Sequence, residues 1–132
     1  MARRNDPLAR ALSLLGPLEG RIMKLVWGAR VREPFVVRDV LVLTPDLAYT
    51  TVMTTLNRLA DKRVLRVTKG RSNEASRYRA NGDVRTFLAN SGRAEADRLV
   101  ERYGEAALAA FADHLDQLGP STRKALERLR SR

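Results

Sequence analysis

The sequence predicts a mainly α chain with one small β-hairpin, and three observations predict it. Apolar residues recur at helical spacing through most of the chain, as in Leu18, Ile22, Leu25 and Val26. The period changes once, in VLRVTKGRSNEASRYRA (64–80), where two short alternating runs flank a loop of turn formers. Three helical stripes precede that hairpin and more helix follows it.

Taken in order, MARRNDPLARALSL (residues 1–14) is expected to be a flexible basic arm. Pro17 suits a first helical position, Glu19 supports the same helix start, and Gly28 after Trp27 is the expected stop. Pro34 breaks any continuation, and Phe35 and Val36 are expected in a short strand. Val37, Val40 and Leu41 mark a second, short helix running to about Leu43. In TPDL, Pro45 makes the corner and Asp46 is expected to cap a third helix over roughly residues 47–62. Val64 to Val67 and Ser76 to Arg79 are the strands, and Gly82 closes the unit. Helix, short strand, helix, turn, helix, hairpin is the order of an N-terminal winged helix-turn-helix, assigned to residues 15–81.

Residues 82–132 read as a C-terminal helical dimerisation region. Val84, Phe87 and Leu88 share one face. Ala96, Leu99, Val100 and Tyr103 share another, after Asn90 and Gly92 disturb the pattern. Ala107, Leu108, Phe111, Leu115 and Leu118 form a strong stripe before Gly119-Pro120 breaks it, and Ser121 is expected to cap a last helix. About fifty residues of short amphipathic helices bury little by themselves, so a second copy of the chain is the economical cover. Phe87, Leu88, Leu99, Val100, Tyr103, Leu108, Phe111, Leu115 and Leu118 are therefore the candidate dimer contacts.

The third helix is unusual. Thr50, Thr51, Thr54 and Thr55 crowd AYTTVMTTLNRLADKR, although β-branched side chains lose rotamer freedom in a helix. At 100° per residue, Val52, Leu56 and Leu59 point one way; Thr50, Thr54, Asn57 and Asp61 point the other, with Thr51 and Arg58 on the flank. A short polar face can press into the DNA major groove, where threonine meets base edges, the thymine methyl or phosphate. Tyr49, beside the free N–H groups of the helix start, is placed for a phosphate. The recognition candidates are Tyr49, Thr50, Thr51, Thr54, Thr55 and Arg58. The wing and backbone candidates are Lys62, Lys69, Arg71, Arg77 and Arg79.

Charge agrees. The chain carries 25 Lys and Arg against 15 Asp and Glu, and residues 1–81 hold 16 of the basic side chains with only 7 of the acidic ones. One part of the chain is built to face a polyanion. There is no cysteine, which excludes disulfides and thiolate metal sites and suits the cytoplasm. His114 is a lone histidine on the flank of an apolar stripe, a surface or packing residue rather than a ligand. No nucleophile–base signature or Gly-rich phosphate loop is present, so no enzyme and no cofactor are expected. No apolar run approaches a membrane span.

The run LAYTTVMTTLNRLADKRVL (47–65), with LGPLEGRIMKLVW (15–27) before it and SRYRA (76–80) after it, resembles the BlaI/MecI/CopY family of penicillinase-repressor-type transcriptional repressors. The resemblance implies a homodimer on a palindromic operator, with repression of antibiotic-resistance or related genes. It also implies Thr50, Thr51, Thr54 and Arg58 as the readers, and a membrane sensor protease as an upstream partner, with TFLANSG (86–92) in the region such cleavage would address. Three departures stand out. The cysteines of the copper-responsive branch are missing; Arg63 stands where the family usually has Gly; Val36 stands where a Thr often caps the second helix. Two other readings compete: a nonspecific architectural DNA binder, and a protein-interaction module on the same scaffold.

Overall fold

Helix α1 (Pro7–Ser13) begins where Asp6 accepts the Leu8 N–H at 3.0 Å and Pro7 takes the first turn, where its missing N–H costs nothing. Ala11 is fully buried. This computed structural model of the protein describes residues 6–130, and it corrects the expected arm: residues 7–13 are a capped helix, while Arg3 and Arg4 lie outside the described residues. Leu8, Ala11, Leu12 and Leu15 do fall at helical spacing, a signal that the basic residues and Pro7 outweigh in the sequence.

Helix α2 (Pro17–Trp27) starts as expected, with the Glu19 carboxylate accepting the Gly16 N–H at 3.1 Å. It ends at Trp27, before the predicted glycine, as expected. Gly28 is the helix cap, and Ala29 is the left-handed residue, φ 56°. The Arg30 N–H reaches the Leu25 carbonyl at 2.9 Å and the Ala29 N–H reaches that of Val26 at 3.1 Å, a Schellman ending. Helix α3 (Val37–Leu43) follows Val36, whose side chain cannot cap; Asp39 accepts the Val36 N–H at 2.9 Å instead. The buried Thr44 hydroxyl donates to the Val40 carbonyl at 3.0 Å and closes this helix.

Helix α4 (Tyr49–Asp61) is the threonine helix. Its β-branched residues cost a few tenths of a kcal/mol each. Val52, Leu56 and Leu59 are fully buried, and each such side chain contributes about 1.5–3 kcal/mol, so packing decides the helix. Asp46 does not cap it: Ala48 is the cap residue, with no side-chain bond, and Asp46 pairs with Arg21. Arg63 is left-handed, φ 63°, in a second Schellman ending with the Val64 N–H on the Leu59 carbonyl at 2.9 Å. The position does demand the backbone that glycine adopts most easily, and here Arg63 adopts it while Asn81 holds its carbonyl at 2.8 Å.

Strands β1 (Leu65–Thr68) and β2 (Arg77–Ala80) pair antiparallel in the register Leu65–Ala80, Arg66–Arg79, Val67–Tyr78, Thr68–Arg77. Gly70 at the loop is obligatory, because a Cβ there would run into the Glu74 carbonyl. The expected Phe35–Val36 strand is a single bridge, Phe35 to Tyr78. Ile22, Met23, Phe35, Val40, Leu56, Leu59 and Leu65 form the fully packed centre of this unit.

The chain divides into two units after Asn90. Helix α5 (Val84–Tyr103) runs unbroken through Asn90 and Gly92, the two residues expected to interrupt it. Gly104, φ 59°, turns the chain into α6 (Glu105–Asp116), and α7 (Pro120–Arg130) starts on Pro120, which puts Ser121 inside the first turn rather than at the cap. The fold is therefore mainly α with one small antiparallel hairpin.

Candidate nucleic-acid interface

Helix α4 presents its residues in rows set by the helical repeat. Val52, Leu56 and Leu59 face the core. Thr50, Thr54, Asn57, Arg58 and Asp61 are exposed, and Thr51 is half-buried. Thr55 is a correction to the expected reader set: it is 4% exposed, and its hydroxyl donates to the Thr51 carbonyl at 2.7 Å. Seven residues separate Asp61 from Thr54, so acid and hydroxyl share the outward arc. The row Tyr49, Met53, Asn57, Asp61 lines an open cleft of about 420 Å³ against Val67, Lys69, Ser76 and Tyr78 of the hairpin. Met53 was not singled out from sequence, because a lone Met in a helical stripe carries no signal of which side it faces.

Two ion pairs set α4 against α2. Glu19 reaches Lys62 at 2.9 Å. Burial raises the Glu19 carboxyl, but the bonds from Lys62 and the Gly16 N–H outweigh it, and the group sits below the usual glutamate range. Its Oε2 is buried with no hydrogen-bond partner among the described residues. Lys62, expected on the DNA backbone, is thus paired with Glu19, while its own side chain stays more than half exposed. Arg21 grips Asp46 through both guanidinium nitrogens, at 2.7 and 2.5 Å, and this hydrogen bonding lowers the Asp46 carboxyl. The pair ties the turn before α4 to α2. Tyr49 is exposed, with the Arg38 guanidinium 6.0 Å over its ring.

The hairpin concentrates cations on one side. Side chains alternate across a strand, so Leu65, Val67, Tyr78 and Ala80 share one face and Arg66, Thr68, Arg77 and Arg79 the other. Arg66 and Arg79 stand directly opposite each other, both exposed. Like charges in that position are destabilising unless an anion lies across them. Arg66, held through Nε by Asn81 Oδ1 at 2.8 Å, was missed from sequence; only the register reveals its partner. Lys69 and Arg71 are exposed in the loop.

The proposed dimer contacts fall into separate groups. Phe87 is half-buried against Trp27, ring centroids 5.2 Å apart, and so belongs to the packing of the first unit rather than to a free surface. That contact also carries the first unit past the expected boundary at residue 81. Leu88, Leu99, Val100 and Leu118 are partly buried. Tyr103, Leu108, Phe111 and Leu115 are exposed, the last three on one stripe of α6. No helix among the described residues is long and apolar enough to cross a membrane.

Three helices with a two-stranded wing, a polar exposed helix face and an arginine-bearing hairpin define a winged-helix DNA-binding transcription regulator. The penicillinase repressor family model matches residues 15–132, and the chain belongs to that family of repressors. Among solved structures, a MarR/EmrR family transcriptional regulator from Acinetobacter sp. ADP1 is similar at 14% identity and a TM-score of 0.43, over 94% of this chain and 89% of that one. No curated protein matches the sequence.

Proposed function

We propose that this repressor acts as a homodimer in the cytoplasm, reading a palindromic operator with α4 and clamping the flanking backbone with the wing. The observation that carries the reading is the exposed Thr50, Thr54, Asn57 and Arg58 face of α4, flanked by the Arg66–Arg79 pair, whose mutual repulsion a nearby anion relieves. Thr50, Thr51 and Thr54 make base-edge or phosphate contacts, and Arg58 reaches a guanine or the backbone. Tyr49 meets a phosphate; Lys69, Arg71, Arg77 and Arg79 neutralise others. The exposed α6 stripe of Leu108, Phe111 and Leu115 pairs with a second copy, with Leu99, Val100, Tyr103 and Leu118 extending the contact. Dimer symmetry places two α4 helices in successive major grooves, about 34 Å apart. Family membership supports antibiotic-resistance or related genes as targets and a membrane sensor protease as the upstream partner.

The test is selection of bound duplexes from a random pool, followed by titration of the selected and scrambled duplexes over a range of salt. An affinity ratio of about 10³ or more supports sequence-specific repression. The arginine face also favours a second reading, architectural binding without base readout, and a ratio near one would establish that instead. Lys69→Ala is expected to weaken all duplexes alike and to lower the salt slope by about 1.

A further inference from the structure

Asn57 occupies the edge of α4 between the outward arc and the wing cleft, and its amide is not free to turn. Tyr78 Oη donates to Asn57 Oδ1 at 2.8 Å. Tyr78 is itself held by packing and by its backbone. It is 3% exposed and its ring stacks on Phe35 at 5.9 Å. Its backbone is bonded to Phe35 on one side, at 2.8 and 2.9 Å, and lies in register with Val67 on the other. Among the described residues the buried hydroxyl makes one hydrogen bond, to Asn57, and burial holds it protonated by pushing its titration up. Asn57 Nδ2 makes no hydrogen bond among the described residues, and the residue is exposed.

We propose that Asn57 is a specificity-determining residue of the α4 interface and that Tyr78, a wing residue, is its positioning residue. The inference rests on the DNA-binding reading above. A free asparagine presents either end of its amide and reads adenine through both. With Oδ1 held toward the wing, the NH₂ group leads into the groove. Asn57 then selects a base that offers an acceptor there, guanine O6 or N7, adenine N7 or thymine O4, over cytosine, which offers none, at one position of each half-site. The wing thereby sets base preference without touching a base, and the hairpin has a role beyond backbone clamping.

Selection from random duplexes is run in parallel on the wild-type chain, Asn57→Asp and Tyr78→Phe, with a thermal melt of each. Asn57→Asp keeps the acceptor for Tyr78 and replaces the leading donor by an oxygen. At one half-site position its preference is expected to move toward cytosine, whose amino group donates in the major groove. Tyr78→Phe is expected to flatten the preference at that same position about fivefold or more, leaving the other positions as they were. Unchanged preference at every position in both variants overturns the proposal, as does a loss spread evenly over the site. Should Tyr78→Phe melt far below the wild type, the Asn57→Asp shift alone decides. A wild-type chain that selects no sequence defeats the repressor reading itself, an outcome distinct from a selective wild type with indifferent variants.

Discussion

Replacing Arg79 by glutamate should make the protein more stable and a worse DNA binder at once. Arg79 lies directly across from Arg66 in the hairpin, and both side chains are exposed. Cross-strand Cβ atoms sit about 5 Å apart, and long side chains splay their charges to roughly 7 Å. In water, two unit charges at that distance repel by about 0.6 kcal/mol, and salt at physiological strength screens a good part of this. Glutamate turns the repulsion into attraction, a change of about 0.5–1 kcal/mol, or about 2–6 °C in the melting temperature of a unit this size. On DNA the same change removes one cation and neutralises a second. The slope of log affinity against log salt should therefore shrink by about 2. Arg79→Gln relieves the repulsion without adding attraction, and should give about half of each effect. Differential scanning calorimetry gives the first quantity, and fluorescence anisotropy with a labelled duplex at several salt concentrations gives the second. A variant that melts below the wild type, or whose salt slope equals the wild-type slope, would refute the assignment of this face to a polyanion.

Thr54→Ala should erode discrimination between selected and scrambled duplexes by about 1 kcal/mol, whereas Thr55→Val, at a buried hydroxyl, should leave it intact; duplex titration separates the neighbours. Ala29→Gly should raise stability by about 0.5–1 kcal/mol, since Ala29 holds a left-handed backbone, and urea denaturation reads the midpoint. Glu19 sits below its ordinary pKa in the folded state, so its contribution is present in full above the usual glutamate value and is lost as pH falls through the lowered one. Glu19→Gln should therefore be less stable near neutrality and show a flatter loss of stability below about pH 4.3, measured as urea midpoints from pH 7 to 3. An equally steep acid limb in Glu19→Gln would show that the Lys62 pair is not its origin.

Much of the fold was legible in local pattern. The stripes of α2, α3 and α4, the corner at Pro45 and the Gly70 loop are short-range signals, each decided within one or two turns of chain, and the structure places those elements within a residue or two of expectation. The failures have two causes. Asp46 has the chemistry of a helix cap, yet Arg21, 25 residues earlier, offers a charged bidentate partner, and the stronger interaction takes it. Gly92 has the chemistry of a helix breaker, but a cost of about 1 kcal/mol does not end a helix of 20 residues.

The sequence by itself determined that the chain is mainly helical, that one hairpin follows the helices α2, α3 and α4, and that a hydroxyl-rich helix sits in the most cationic part of the protein. Those properties follow from periodicity, turn chemistry and charge, which are carried by neighbours along the chain. Only the tertiary structure decided which hydroxyl faces inward, that Lys62 is spent on Glu19, that Phe87 packs on Trp27, and that Arg66 meets Arg79 and Tyr78 meets Asn57. Each of these is a choice between partners distant in sequence, settled by strand register and the geometry of packing, and neither quantity is written in any local stretch of residues.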